Sequence, residues 1–277
     1  MIDKRMELCT KIWWKYNEAK TLDEVPRGGI VVCGTGKVQP KSHVLRGIHG
    51  GVVGALERGL AVLGKIRLET DGGHTFGLLV LANLVYRYFS DLLPWEIWCL
   101  VNEAGIYHEI DELEFGDMLD DGSQIAEQKN QQMAEATARF FEGIPNADAV
   151  REIIEQAEKM KNVSFDEIAD YYKPGQPATW IRTAAWWLKA LDKVEAVLQN
   201  GRYKMMDAVG HIGNKPVPSA RDAEVVEELG TDDIVFVWAW ASAGYLRGTV
   251  LWEILVAMML CVYDECEIPS QFLTAPD

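Results

Sequence analysis

Basic residues are scarce in this chain: 27 Lys and Arg face 42 Asp and Glu, a formal net charge of −15 over 277 residues. Sequence-independent binding to a nucleic-acid polymer needs a basic footprint, so this balance argues against that partner. It leaves room for a small phosphorylated substrate, because a metal ion and local arginines can reverse the field inside a pocket. Cysteine is also sparse. Cys9, Cys33, Cys99, Cys261 and Cys266 form no C-x-x-C pair and no disulfide framework, and three lie in apolar stretches where a thiol acts as a small buried hydrophobe. The opening segment MIDKRMELCTKIWWKY lacks the apolar core of a signal peptide, and a reducing cytoplasm is the expected location. There is no internal repeat and no low-complexity tract. A composition of 48% hydrophobic and 25% charged residues is ordinary for a globular protein with a sizeable core.

Long apolar runs are nearly absent too. The exception, Ile234 to Tyr263, has the length to span a bilayer. Arg247 near its middle and Glu253 beyond it would be costly at that depth. Ser242, Gly244 and Gly248 divide the run, so a buried helix pair or a subunit interface is expected, not a membrane span.

What remains is helical periodicity. An amphipathic helix is expected over residues 3–20, with Ile2, Met6, Cys9, Trp13 and Tyr16 on one face. Further helices are expected at 52–64, 74–90, 94–109, 123–142, 147–161, 165–172 and 179–200. Thr21 to Glu24 and Ser164 to Glu167 match capping boxes. The stripe Val150, Ile153, Ile154, Ala157 and Met160 marks one apolar face. Gly143-Ile-Pro145 and Lys173-Pro-Gly175 break these runs, and Gly201 to Arg221 reads as a loop. Residues 26–51 are glycine-rich. IVVCGTGK within them departs from G-x-x-x-x-G-K-[ST] and precedes no amphipathic helix, so a short strand or turn is expected there. The fold class is all-α. Three segments divide it: 1–57, an N-terminal helix and glycine-rich stretch; 58–200, the core; and 201–277, a loop and hydrophobic helices packed on that core.

Three metal-donor residues sit on these stripes. His74 is in phase with Leu78, Leu81, Val85 and Tyr88 on one predicted helix. His108 ends the stripe Ile97, Val101 and Ala104, and Asp192 falls in line with Ile181, Ala185 and Leu188 on two others. A carboxylate on an apolar stripe costs several kcal/mol unless it is paired or metal-bound. Two imidazoles and a carboxylate converging from three helices read as a site for a divalent metal ion.

The spacing around these donors resembles a known family. Arg67, Glu69 and His74 match R-x-E-x-x-x-x-H. His108, Glu109, Glu112, Gly116 and Asp117 match H-D-x-x-E-x-x-x-x-D, with glycine before the last aspartate. With Asp192, they resemble the H…HD…D pattern of the HD-domain metal-dependent phosphohydrolases, in the branch of bacterial 5′-nucleotidases acting on deoxynucleoside monophosphates. The resemblance covers roughly residues 58–200. One letter departs from it: Glu109 stands where the family has aspartate, moving the carboxylate out by about one bond.

The resemblance implies an HD-domain-like helical bundle with extra N- and C-terminal helices, and a catalytic core over 58–200. It implies that His74, His108, Glu109 and Asp192 hold a divalent ion (Mn, Co, Fe, Mg or Zn). Glu112 and Asp117 would orient or deprotonate the attacking metal-bound water and protonate the leaving oxygen. Arg67, and less closely Arg58, would clamp the phosphate of a nucleotide, and Glu69 would support Arg67 or the His74 ring. The expected reaction is hydrolysis of a nucleotide phosphomonoester. The alternatives are a deoxynucleoside triphosphate triphosphohydrolase of the same superfamily and a non-catalytic ligand-binding protein with a decayed site. HEIDE is not a zinc-peptidase H-E-x-x-H, since Glu112 takes the place of its second histidine. His43, His49 and His211, in glycine-rich surroundings, read as loop histidines. A homodimer is an assembly that the resemblance and the Trp-rich C-terminal helices both allow.

Overall fold

A 28-residue helix, Trp180–Asp207, forms the axis of the molecule. At about 1.5 Å per residue it is roughly 42 Å long. Nine consecutive residues in it, Thr183 to Leu191, are buried, which requires neighbours on every side. Trp186 and Trp187 fill the wide gaps around it, while Ala184, Ala185 and Ala190 let other helices approach closely.

The computed structural model describes residues 2–20, 30–32, 38–40, 71–110, 124–161, 163–207 and 217–274. In chain order the elements are α1 (Ile2–Lys20), β1 (Ile30–Val32), β2 (Val38–Pro40), α2 (Asp71–Tyr88), α3 (Trp95–Tyr107), α4 (Gln124–Phe141), α5 (Asp148–Ala157), α6 (Phe165–Tyr171), α7 (Trp180–Asp207), α8 (Ala223–Leu229), α9 (Ile234–Ala241), α10 (Ala243–Leu246), α11 (Val250–Val262) and α12 (Ser270–Leu273). The expected all-α class holds. Its one sheet among the described residues is the antiparallel ribbon β1–β2, which pairs Val31 with Gln39 and contains the short strand expected in IVVCGTGK.

The axial α7 packs against α2, α3, α5, α9 and α11, and α1 lies across α2 and α11. One hydrophobic cluster joins them, from Ile12 and Trp13 of α1 through Leu81 and Val101 to Leu255 of α11. The expected stripe of α5 faces inward: Val150, Ile153, Ala157 and Met160 are buried. Ser164 caps α6 by accepting the backbone N–H of Glu167, while the Glu167 side chain leaves the box to bind Arg182. Gly143, just past the end of α4, and Gly175, in the turn closed by Gln176 N–H to Lys173 O, have φ of 76° and 73°, the left-handed region that favours glycine.

Several boundaries differ from expectation, and two of them bear on the packing and the site. The helix expected to end at Asn200 runs on to Asp207, because Gly201 is a packing position inside α7 and not a breaker. A Cβ built on it would lie 2.3 Å from Met258 Sδ of α11. The helix expected over 94–109 ends at Tyr107, with His108 as its C-cap. The helix expected at 52–64 and the capping box at Thr21 to Glu24 lie outside the described residues.

The run from Ile234 to Tyr263 forms α9, α10 and α11, interrupted at Ser242 and at Gly248, whose φ is 84°. Among the described residues, no helix is long and apolar enough to cross a membrane. The charges in this run have partners at the surface of the fold. Arg247 lies 5.6 Å over the Trp240 ring, and Glu253 accepts a 2.5 Å bond from Arg5 of α1.

Candidate metal centre

Three helices deliver the donors to one point. His74 sits in the first turn of α2, His108 caps α3, and Asp192 lies midway along α7. The stripes that carry them are buried as the sequence predicts: Leu78, Leu81 and Val85 beside His74, Ile97, Val101 and Ala104 beside His108, Ala185 and Leu188 beside Asp192. Tyr88, at the far end of the His74 stripe, is instead 36% exposed, and Ile181, at the start of the Asp192 stripe, is half-buried.

His74, His108 and Asp192 each offer one ligand atom, and all three atoms lie within 4.8 Å of one another. His74 Nε2 is 3.0 Å from Asp192 Oδ1, and the two imidazole centroids are 5.4 Å apart. Bonds of about 2.1 Å to a common ion would place two donors roughly 3.0–4.2 Å apart depending on the angle between them, so His74 and Asp192 already fit and a pair at the 4.8 Å limit would close by about 0.6 Å or more. The triad could hold a metal ion.

The protonation chemistry fits that use. His108 directs Nδ1–H at Gly105 O, 2.8 Å away, and this bond fixes which nitrogen carries the proton. Its Nε2 is buried and has no hydrogen-bond partner among the described residues. Burial pushes His108 down to about 4, with Asp192 opposing and His74 reinforcing the shift, so at neutral pH Nε2 presents a bare lone pair. A buried lone pair without a donor is costly, and a cation would satisfy it.

His74 faces a carboxylate oxygen with each ring nitrogen: Glu195 Oε2 at 2.5 Å from Nδ1 and Asp192 Oδ1 at 3.0 Å from Nε2. Only one proton is available to a neutral ring, so a second cation, a proton or a metal ion, is required on the other side. Burial opposes the imidazolium, but the bonds to Asp192 and Glu195 outweigh it and raise His74 well above the usual histidine range. Burial would raise the Asp192 carboxyl, yet Lys193, Lys189 and His74 hold it well below the usual range. Both lysine ammonium groups lie 3.3 Å from Asp192 Oδ2, leaving Oδ1 directed at His74. Lys189 is itself buried and also bound to Glu158.

Glu109, the residue that departs from the resemblance, reaches the same cluster. Its Oε1 lies 3.5 Å from His74 Nε2 and 3.8 Å from His108 Nε2. The longer side chain therefore folds back toward both imidazoles. Arg58, Arg67, Glu69, Glu112 and Asp117 lie outside the described residues, as do His43, His49 and His211.

One residue of the site escaped the sequence reading. Glu195, three positions after Asp192 on α7, is wholly buried against His74. Burial would raise its carboxyl; His74, Lys20 and Tyr16 outweigh this and hold it below the usual range. In the sequence it stands next to the charged pair Asp192-Lys193, which reads as a solvated face. The available signal was its phase: Leu188, Leu191, Glu195 and Leu198 share one apolar stripe.

Comparison of the chain with protein-family models, with characterised proteins and with solved structures finds no match.

Proposed function

We propose that this chain is a metal-dependent phosphohydrolase of the HD type, hydrolysing a nucleotide phosphomonoester. The observation that carries the reading is the buried Nε2 of His108, without a hydrogen-bond partner among the described residues, in a residue whose ligand atom clusters with those of His74 and Asp192. The donor set of two imidazoles and one carboxylate, with Glu109 as a fourth donor, suits Mn, Co, Fe or Zn, and less closely Mg. Bound there, such an ion would acidify water and polarise a phosphoryl oxygen.

The chain's own residues set the rest. Gly105 and Glu195 orient the two imidazoles, while Lys189 and Lys193 screen Asp192 and offset the local acidic charge. By the motif spacing, Arg67, with Arg58 less closely matched, takes the substrate phosphate. Glu112 and Asp117 handle the protons of attack and departure, and Glu69 supports the first motif from behind.

The deciding experiment is a panel of nucleoside mono- and triphosphates assayed with Mn, Co, Mg and Zn, with phosphate, pyrophosphate and tripolyphosphate all measured. Orthophosphate from a deoxynucleoside monophosphate, abolished in His108→Ala, is the expected result. Tripolyphosphate would move the chain to the triphosphohydrolase branch of the same superfamily. If every nucleotide stays intact under every metal while the protein remains folded, the enzymatic reading fails.

A further inference from the structure

Glu195 is surrounded by donors from three directions. His74 Nδ1 lies 2.5 Å from Oε2, Tyr16 Oη donates to Oε1 over 2.5 Å, and Lys20 Nζ lies 3.4 Å from Oε1. All four side chains are buried or nearly so, Glu195 and Tyr16 at 0% exposure and Lys20 at 1%. Lys20 also donates to Gly73 O over 2.6 Å, tying the end of α1 to the turn of α2 that presents His74. The carboxylate fits because Gly77, three residues beyond His74, has no side chain: a Cβ there would lie 1.9 Å from Oε1.

A lysine, a tyrosine and a glutamate buried together are a poor way to stabilise a fold. Apolar residues of similar volume usually do as well or better, since removing charges from water costs several kcal/mol per ion. The arrangement is specific in another respect. It leaves the Nδ1 proton of His74 one strong acceptor, and so leaves Nε2 facing Asp192 and His108.

We propose that Glu195 is a positioning residue of the metal centre, held by Tyr16 and Lys20 of the N-terminal helix, which thereby becomes part of the site. Glu195 accepts Nδ1–H, fixes the tautomer and the ring plane of His74, and through its negative charge makes Nε2 a stronger donor to the ion. The N-terminal helix then does more than cover the core, because its last two turns supply the residues behind a ligand. The inference rests on the metal-binding reading above, and its test separates the two.

The full-length chain, stripped with a chelator, is titrated with Zn(II) and Mn(II) by calorimetry, alongside Glu195→Gln and Tyr16→Phe. Glu195→Gln keeps the shape and removes the charge. Its affinity should fall roughly 10- to 100-fold with the helical circular dichroism unchanged, and Tyr16→Phe should lose less in the same direction. The low-field Nδ1–H proton resonance of His74 should be present in the wild type and lost or moved upfield in Glu195→Gln. Folded Glu195→Gln with wild-type affinity and an unchanged ring signal overturns the proposal and leaves the metal site standing. If Glu195→Gln does not fold, Tyr16→Phe decides: wild-type affinity in that variant overturns it. A wild-type chain that binds neither metal overturns both readings.

Discussion

The carboxylate of Glu195 occupies the space that a side chain at Gly77 would need. A Cβ at Gly77 would sit 1.9 Å from Oε1 and 2.8 Å from the carboxyl carbon, far inside van der Waals contact. Glu195 cannot step aside cheaply, since His74, Tyr16 and Lys20 hold it. Gly77→Ala should therefore destabilise the protein by about 1–3 kcal/mol, the usual cost of overpacking, despite the roughly 1 kcal/mol that alanine gains in helix propensity. Urea denaturation measures it. A variant as stable as the wild type would show that Glu195 is not fixed in this slot.

The thiols should react in an order set by burial. Cys9 is fully buried, and burial, aided by Glu253 and opposed by Arg5, pushes its thiol up to about 12. Cys266 is exposed. Only the thiolate is nucleophilic, so iodoacetamide at pH 8 should label Cys266 within minutes and leave Cys9 unmodified in the native protein. Peptide mapping by mass spectrometry reads the order, and early loss of Cys9 would contradict the packing of α1 on α11.

Most of this fold was legible because its helices carry unambiguous stripes. Val150, Ile153 and Ala157 announced both α5 and its inward face. The donors were legible for the opposite reason: His74, His108 and Asp192 are polar residues where an apolar one is expected, and the structure brings them together. Gly201 misled because a glycine that breaks a helix and one that admits a neighbour look alike in sequence, and only Met258 beside it distinguishes them. Glu195 was hidden by its company. Its partners Tyr16 and Lys20 lie 179 and 175 positions away, and no local pattern shows a contact of that range.

Metal should be visible in stability before it is visible in catalysis. An ion bound only by the folded state adds about 2.7 kcal/mol at roughly 100 times its Kd. For a chain of this size that corresponds to a rise in Tm of about 5 °C or more. Mn(II), Co(II) or Zn(II) should produce the rise in the chelator-treated wild type, EDTA should reverse it, and His108→Ala should not show it. Differential scanning fluorimetry suffices. A wild-type Tm indifferent to all of these ions would argue for the decayed-site alternative.

The two histidines should respond to acid with opposite signs. In the metal-free protein His108 titrates at about 4 when folded, below the usual 6.5, because burial opposes its charge. On acidification the unfolded chain takes up that proton first, so His108 withdraws stability as pH falls from about 6.5 to 4 and has no effect above that window. At about 1.4 kcal/mol per pH unit the full loss is at most about 3 kcal/mol. His74 is shifted the other way, and its contribution is complete below 6.5 and is lost only as pH rises through its elevated folded value. Over the acid window His74 is therefore constant, and the slope belongs to His108 together with the carboxylates. Urea midpoints of chelator-treated wild type and His108→Gln between pH 4 and 6.5 separate these, because the carboxylates titrate in both. The wild-type curve should fall more steeply with acid; parallel curves would mean that His108 is hydrated and already free to protonate, and that its Nε2 is not the preorganised donor on which the metal centre depends.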